Sequence, residues 1–415
     1  MTESAASKKS LTGVIKEIAL CIAVMLVLLM ADRTLENMYF FYLFDTGKRI
    51  IDLWISFEMH LHAWLKWIIP VCFAIWLVKK DFTVRLGLLM PILAVYGVFL
   101  VSSLISDGNI SRWWNMTEMP FVMFLFLTMQ CSTRRGIQRL AFSGTILYSV
   151  LLILNAAFIF FPQLYIIISG YSLDYFLAPD NHTGFPMFFG ALMAVLDGRY
   201  NSTKRRMIVY FVLFYLNMAL IRCASALLGC VIFTAYLVIP GIRRAAGKWN
   251  FNFFTLLSML ICAILVTVSR LFFSNESFAS LVGKLFTLKE SLYIRIILWS
   301  GVFLEVLAKP VFGYGLGDSA VFFMRPETDL KYNAHNAWLQ TLHEGGIVTA
   351  ASVFFVLAMF AKKLRSFNDR NLSGLFAVIA FIDLVMMQFG ITAWFTWAPL
   401  FMVVQTASLS DILEE

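Results

Sequence analysis

Apolar stretches of about twenty residues recur along the whole chain, and they restrict its fold more than any other feature. A helix of that length spans the hydrocarbon layer of a membrane. The stretches lie at 12–31, 63–78, 86–105, 117–132, 140–162, 184–198, 206–221, 224–241, 251–269, 345–361, 373–390 and 394–410. Only 14% of the residues are charged, against roughly 25% in a soluble domain. We therefore expect an all-α polytopic membrane protein with about twelve transmembrane helices, in which residues 1–415 form a single integral membrane domain.

Lysine and arginine set the expected orientation, because they accumulate on the cytoplasmic side of short loops. With the N-terminus inside, the inner segments carry Lys8, Lys9, Lys16, Lys79, Lys80, Arg85, Arg134, Arg135, Arg139, Arg199, Lys204, Arg205, Arg206, Arg243, Arg244, Lys248, Lys362, Lys363, Arg365 and Arg370. Every inner connection is then basic, and both termini are cytoplasmic. The net charge of +8 follows from this topology, which argues against a nucleic-acid partner. The first apolar stretch has no small-residue cleavage site after it, so we expect a retained helix.

The same orientation places the chemistry on the outer side. All five histidines lie there, namely His60, His62, His182, His335 and His343. So does the one long connection, residues 270–345, between the ninth and tenth spans. The cysteines are scattered without a C-x-x-C pair, which argues against a disulfide framework or a zinc site. The uneven split of the spans and the lack of an internal repeat differ from transporters built of matched halves.

The long outer connection has a regular pattern of its own. Residues 291–308 place apolar side chains at helical spacing, with Arg295 and Trp299 one turn apart, and Pro310 ends that helix. Three alternating glycines follow within 313–317; they indicate either a flexible turn or a site that admits a phosphate, although the other P-loop residues are missing.

The polar stretch from 331 to 350 comes next. Read as a helix, it places Asn336, Gln340, His343 and Glu344 on one side. Such a face is poorly suited to acyl chains, so we expect it to line a wet cavity at the outer surface. The Gly345–Gly346 pair predicts a bend before the apolar run.

The order of these motifs resembles that of the O-antigen ligase and Wzy polymerase superfamily. It consists of R-x3-W at Arg295 and Trp299, P-x-x-G-x-G at 310–315, and H-N-x-x-L-Q at 335–340. The spacing H-N-x9-G-x-x-T, which includes Gly346 and Thr349, is similar to that of the ligase branch. The resemblance covers about 220–350.

The resemblance implies an integral, GT-C-like glycosyltransferase of the bacterial cytoplasmic membrane whose active site faces outward. Its donor would be a glycan on a polyprenyl pyrophosphate and its acceptor a glycan or glycolipid, with no cofactor and no metal. Residue by residue, His335 maps to the base that activates the acceptor hydroxyl and Arg295 to one of two arginines that hold the diphosphate. The second arginine is either Arg222 or Arg270.

Further positions are candidates for substrate binding. They are Asn336, Gln340, Trp299, Asn181 and His182, the last two in a segment that resembles the Asn-containing entry to an equivalent family helix.

The residue types suit this chemistry by themselves. A guanidinium stays charged and binds phosphate through a bidentate fork, so it stabilises a diphosphate leaving group. A histidine is a good general base at neutral pH. We expect a polymerase of a surface polysaccharide that acts with inversion; an O-antigen ligase that transfers glycan to lipid A-core, and a polytopic transporter or flippase, are the alternatives. Asp383, inside the eleventh span, has no assigned role.

Overall fold

The computed structural model describes residues 11–31, 49–80, 89–163, 184–201, 203–221, 223–248, 250–275, 277, 290–316 and 334–389. All regular structure within these ranges is helical, as predicted. The helices are α1 (Leu11–Ala31), α2 (Arg49–Lys79), α3 (Leu89–Ile105), α4 (Ile110–Cys131), α5 (Arg134–Phe160), α6 (Gly184–Tyr200), α7 (Lys204–Leu220), α8 (Ala224–Val238), α9 (Pro240–Ala246), α10 (Phe251–Ser274), α11 (Glu290–Ala308), α12 (Ala337–Arg365) and α13 (Arg370–Met386).

Five of the described helices contain stretches long and apolar enough to cross a membrane. These stretches are Thr12–Leu29, His60–Lys79, Arg134–Phe160, Phe251–Phe272 and Ala337–Arg365. The pair α8 and α9, bent by 101°, adds a sixth if it counts as one span. The described part of the chain is therefore that of a helical membrane protein. The total of about twelve spans stays a prediction, and the span expected at 394–410 lies outside the described residues.

One compact unit consists of residues 1–68, 129–179 and 186–221. In it α5 packs against both α1 and α7. Inside this packing the side chain of Asn155 donates a hydrogen bond to Asn217 Oδ1 at 2.8 Å, and Asn217 donates to the carbonyl oxygen of Leu152 at 3.0 Å. Both amides are fully buried. Because an unsatisfied amide is costly in an apolar layer, these bonds hold α5 and α7 in one register.

The other unit consists of residues 69–128, 180–185 and 222–415, and α12 lies at its centre. This helix packs against α3, α10 and α11, while α13 packs against α8, α9 and α10. Phe251 and Phe360 meet edge to face in the core, with ring centroids 5.0 Å apart. Asp369 begins α13 by accepting hydrogen bonds from the backbone of Asn371 and Leu372. The polar stretch of the sequence thus begins the central helix of this unit.

The central helix breaks at Gly346, as the Gly345–Gly346 pair predicts. Gly346 has φ 65° and ψ −167°, a region open essentially to glycine alone. The amides of Ile347 and Val348 donate to the carbonyl oxygens of Pro310 and Val311. In return, the amide of Tyr314 donates to the carbonyl oxygen of His343 at 2.8 Å. The turn after α11 therefore satisfies the backbone groups that the break leaves open.

The alternating glycines let this turn approach its neighbours. Gly313 and Gly315 both have positive φ, and a Cβ on Gly315 would lie 2.9 Å from the Cα of Ser103 in α3. The hydroxyl of Ser103 accepts a hydrogen bond from the amide of Leu316 at 3.0 Å. The hydroxyl of Ser102 donates to the carbonyl oxygen of Glu344 at 2.9 Å. The amide of Gly315 donates to the carbonyl oxygen of Glu344 at 2.8 Å, so hydrogen bonds with α3 and α12 hold the described part of the turn.

Candidate active site

His335 lies just before α12 in an uncommon backbone conformation. Its φ is 45°, in the left-handed region, which costs a residue with a Cβ roughly 1–2 kcal/mol. The preceding residue, Ala334, is held on both sides. Its amide donates to Gln340 Oε1 at 2.7 Å, and its carbonyl oxygen accepts from Trp299 Nε1 at 2.9 Å. Side chains of α11 and α12 thus fix the backbone that presents His335.

Asn336 begins α12 and fixes the other side of His335. Its Oδ1 accepts from the amide of Leu339 at 3.1 Å, as an N-cap does. Its Nδ2 lies 3.2 Å from Gln388 Oε1 and 3.3 Å from the carbonyl oxygen of Gln388. The thiol of Cys262 also donates to Oδ1, at 3.4 Å. The side chain is buried, so all these bonds are made inside the protein.

A buried polar network extends from this cap into α10 and α13. Gln388 Nε2 donates to the hydroxyl of Ser258 at 2.8 Å, and Trp338 Nε1 donates to the same hydroxyl at 2.9 Å. No motif in the sequence indicated a role for Gln388, Ser258 or Cys262 at this site. The only sequence signal was that each is a polar residue within an apolar stretch or at its end.

Arg295 lies on the face of α11 that meets residues 334–336, the His335 loop. It is one turn before Trp299, which places both side chains on one face of the helix, and Trp299 bonds the carbonyl group next to His335. Burial, and then the charge of Arg295, lower the pKa of His335 below its usual value. A nearby cation has this effect because it disfavours the protonated imidazole. The structure therefore brings Arg295 and His335 together, 40 positions apart in sequence.

The His335 imidazole is in a form that can accept a proton. Its lowered pKa means that the neutral ring predominates at neutral pH. The Nδ1 atom is buried and has no hydrogen-bond partner within the described part of the chain. A half-buried neutral histidine beside a guanidinium is a base placed next to an anion-binding group.

Of the remaining candidates, Arg270 also reaches α11. Its Nη1 donates to the hydroxyl of Ser300, the neighbour of Trp299, at 3.3 Å. Arg222, Asn181 and His182 lie outside the described residues. Substrate binding by Asn336, Gln340 and Trp299 stays a prediction. Within the described ranges, no three His, Cys, Asp or Glu side chains are grouped closely enough to hold a metal ion.

The polar face of α12 is buried instead of lining an open cavity. Gln340 Nε2 donates to Glu344 Oε1 at 2.7 Å, and His343 Nε2 lies 2.7 Å from Glu305 Oε2 of α11. Tyr314 stacks on His343 with ring centroids 4.8 Å apart. The contact between His343 and Glu305 joins α12 to α11, and the stacked ring of Tyr314 joins α12 to the turn after α11. They fix the register that brings Arg295 to His335.

Comparison with known families agrees with the motif order. Residues 207–354 match the family model described as O-antigen ligase. This range contains α11, the turn after it, the His335 loop and the break in α12. The match confirms the resemblance to the O-antigen ligase and Wzy superfamily. No curated protein and no solved structure matches the chain.

Proposed function

We propose that the protein is a glycosyltransferase that polymerises a surface polysaccharide, because residues 207–354 match the family model described as O-antigen ligase. Its donor is a glycan on a polyprenyl pyrophosphate, and its acceptor is a second lipid-linked glycan. The observation that carries the proposal is that α11 places Arg295 beside the half-buried His335, because Trp299, one turn after Arg295, bonds the carbonyl group next to His335. A sugar hydroxyl needs a base, and a departing diphosphate needs a fixed cation.

In the proposed reaction His335 removes the proton from the acceptor hydroxyl as its oxygen attacks the anomeric carbon. The bond from that carbon to the diphosphate oxygen breaks, and the configuration inverts. Arg295 meets the charge that develops on the leaving diphosphate. Arg270 of α10 is the second proposed cation, and its hydrogen bond to Ser300 of α11, the helix that carries Arg295, supports this assignment. Arg222 remains the alternative.

The proposed setting is the bacterial inner membrane, with about twelve spans in a GT-C-like arrangement and the site facing outward. Apolar helices and the family match support a multi-pass membrane protein. The basic inner connections of the sequence support the orientation. We assign His335 and its surroundings to the outer surface because the donor glycan is consumed there.

An O-antigen ligase is the second candidate, and one observation favours it. The family model that matches is described by that activity, and the spacing from His335 to Thr349 is similar to the ligase pattern. Both candidates use the same donor and the same base. They differ only in the acceptor, which is lipid A-core for a ligase.

The test uses purified full-length protein with a polyprenyl-pyrophosphate-linked repeat unit. A ladder of chain lengths is the expected product, and it should disappear in His335→Ala. The matched control is His60→Ala, because His60 is an exposed outer histidine of α2. Single transfer to added lipid A-core would show that the protein is a ligase and not a polymerase. Movement of lipid without bond formation, or full activity of His335→Ala, would contradict the proposed chemistry.

A further inference from the structure

One end of the first unit collects positive charge where two helices begin. Helix α5 starts with Arg134 and Arg135, and α7 starts with Lys204 and Arg205. Neither first turn contains an acidic residue. A helix N-terminus carries a partial positive charge, so cations in a first turn are repelled and an anion is attracted. The preference for basic residues on the cytoplasmic side explains their presence in these connections, but not their position at two helix starts.

The two helix starts lie side by side. Gln138, one turn into α5, donates to the carbonyl oxygen of Tyr200 at 2.9 Å. Asn201 donates back to the carbonyl oxygen of Gln138 at 3.0 Å. Because Arg134 is one turn before Gln138 and Lys204 is three residues after Asn201, these bonds bring both basic pairs to one place.

An internal ion pair holds this arrangement. Asp197 is fully buried, and Arg206 binds it through two nitrogens at 2.7 and 3.0 Å. Asn201 donates to the same carboxylate at 2.6 Å. The ion pair between Arg206 of α7 and Asp197 of α6 thus fixes the turn between these two helices. In contrast, Arg134, Arg135, Lys204 and Arg205 are exposed.

Below these cations, α7 presents an apolar stripe. Arg205, Ile208, Val209 and Val212 share one face of the helix by their spacing. The three apolar side chains are 57%, 53% and 63% exposed. At the head of the stripe Thr203 makes no side-chain cap bond, so amides of the first turn remain open to an oxygen acceptor. The surface therefore combines a positively charged end with an exposed apolar face.

We propose that this surface binds an anionic phospholipid. Its headgroup phosphate is held by Arg134, Arg135, Lys204 and Arg205 at the starts of α5 and α7, and one acyl chain lies along Ile208, Val209 and Val212. The inference is independent of the glycosyltransferase activity, because the site lies in the unit without His335. It follows that the lipid stabilises this unit whether or not a glycan donor is present.

The test measures lipid binding by the full-length protein in a neutral detergent. Phosphatidylglycerol should bind and raise the midpoint of thermal unfolding, whereas phosphatidylcholine should do neither. The double variant Lys204→Gln, Arg205→Gln should bind phosphatidylglycerol roughly thirty-fold more weakly, from the usual contribution of two basic residues near an anionic surface. The matched control removes two cations from α9 instead, through Arg243→Gln and Arg244→Gln. It should bind as the unmodified protein does.

Three results would overturn the inference. Equal binding of both lipids would remove the role of the headgroup charge. Equal weakening by the two double variants would show that only the overall charge of the protein matters. Full stabilisation by inorganic phosphate alone would show that the site binds a free anion and that the apolar stripe has no role in binding.

Discussion

Replacement of Asn336 by alanine tests whether the buried network positions His335, the proposed base. The change removes the N-cap bond to Leu339, which is worth about 1 kcal/mol. It also removes the contacts of Nδ2 with the two acceptors of Gln388, worth roughly 0.5–1.5 kcal/mol each. The expected loss of stability is therefore about 2–4 kcal/mol. Because Asn336 follows His335 directly, we expect a fall in kcat of up to about 100-fold, the cost of a small displacement of a reacting group.

Two assays and one control separate positioning from general destabilisation. Thermal unfolding in detergent reports the stability, and chain-length ladders with saturating donor report kcat. Asp369→Ala removes an N-cap in the same unit, at the start of α13, so it should lower the stability by about 1 kcal/mol and leave kcat unchanged. Asn336→Ser keeps a capping side chain and should recover part of the stability. An Asn336→Ala protein with normal kcat, or a matching loss of kcat in Asp369→Ala, would refute the reasoning.

Two further predictions follow from the charge near His335 and from the helix break. The acid limb of kcat/KM should lie below pH 6.5, the usual pKa of histidine, since protonated His335 is inactive as a base. Arg295→Gln removes one of the two effects that lower the pKa of His335, so the acid limb should move to higher pH. A limb that moves to lower pH would contradict the pairing of Arg295 with His335. Gly346→Ala should destabilise the protein by about 1–3 kcal/mol through backbone strain, and further through a clash, because the new Cβ would lie 2.1 Å from the carbonyl oxygen of Val311. The control is Gly97→Ala, whose Cβ meets nothing within 4 Å. Equal thermal unfolding midpoints of the two variants would exclude the steric argument.

Local patterns in the sequence predicted the elements around the site well. The helix expected at 291–308 is Glu290–Ala308, since apolar spacing and Pro310 define it locally. The bend at Gly345–Gly346 is the break at Gly346, because two adjacent glycines favour irregular backbone. The break exchanges hydrogen bonds with the turn at 310–315, which only the folded chain brings near.

The surroundings of the polar face could not be predicted in the same way. Helical spacing shows that Asn336, Gln340 and Glu344 share a side of α12, but not what covers that side. The partners of Asn336 are Gln388, 52 residues later, and Cys262, 74 residues earlier. Nor does the spacing reveal the left-handed φ of His335, which depends on the bonds made by Ala334 to two different helices.

The buried network has a consequence for His335, the proposed base. Polar groups buried inside a protein must be bonded internally, since each unbonded one costs about 1–3 kcal/mol. Two side chains meet this requirement by bonding the backbone of Ala334, namely Trp299 and Gln340. Asn336 meets it by bonding the backbone at the start of α12. The His335 Nδ1, by contrast, is buried without a partner within the described ranges. These bonds therefore hold the backbone of His335 in its left-handed conformation without any substrate, so the proposed reaction would need little reorganisation at this residue.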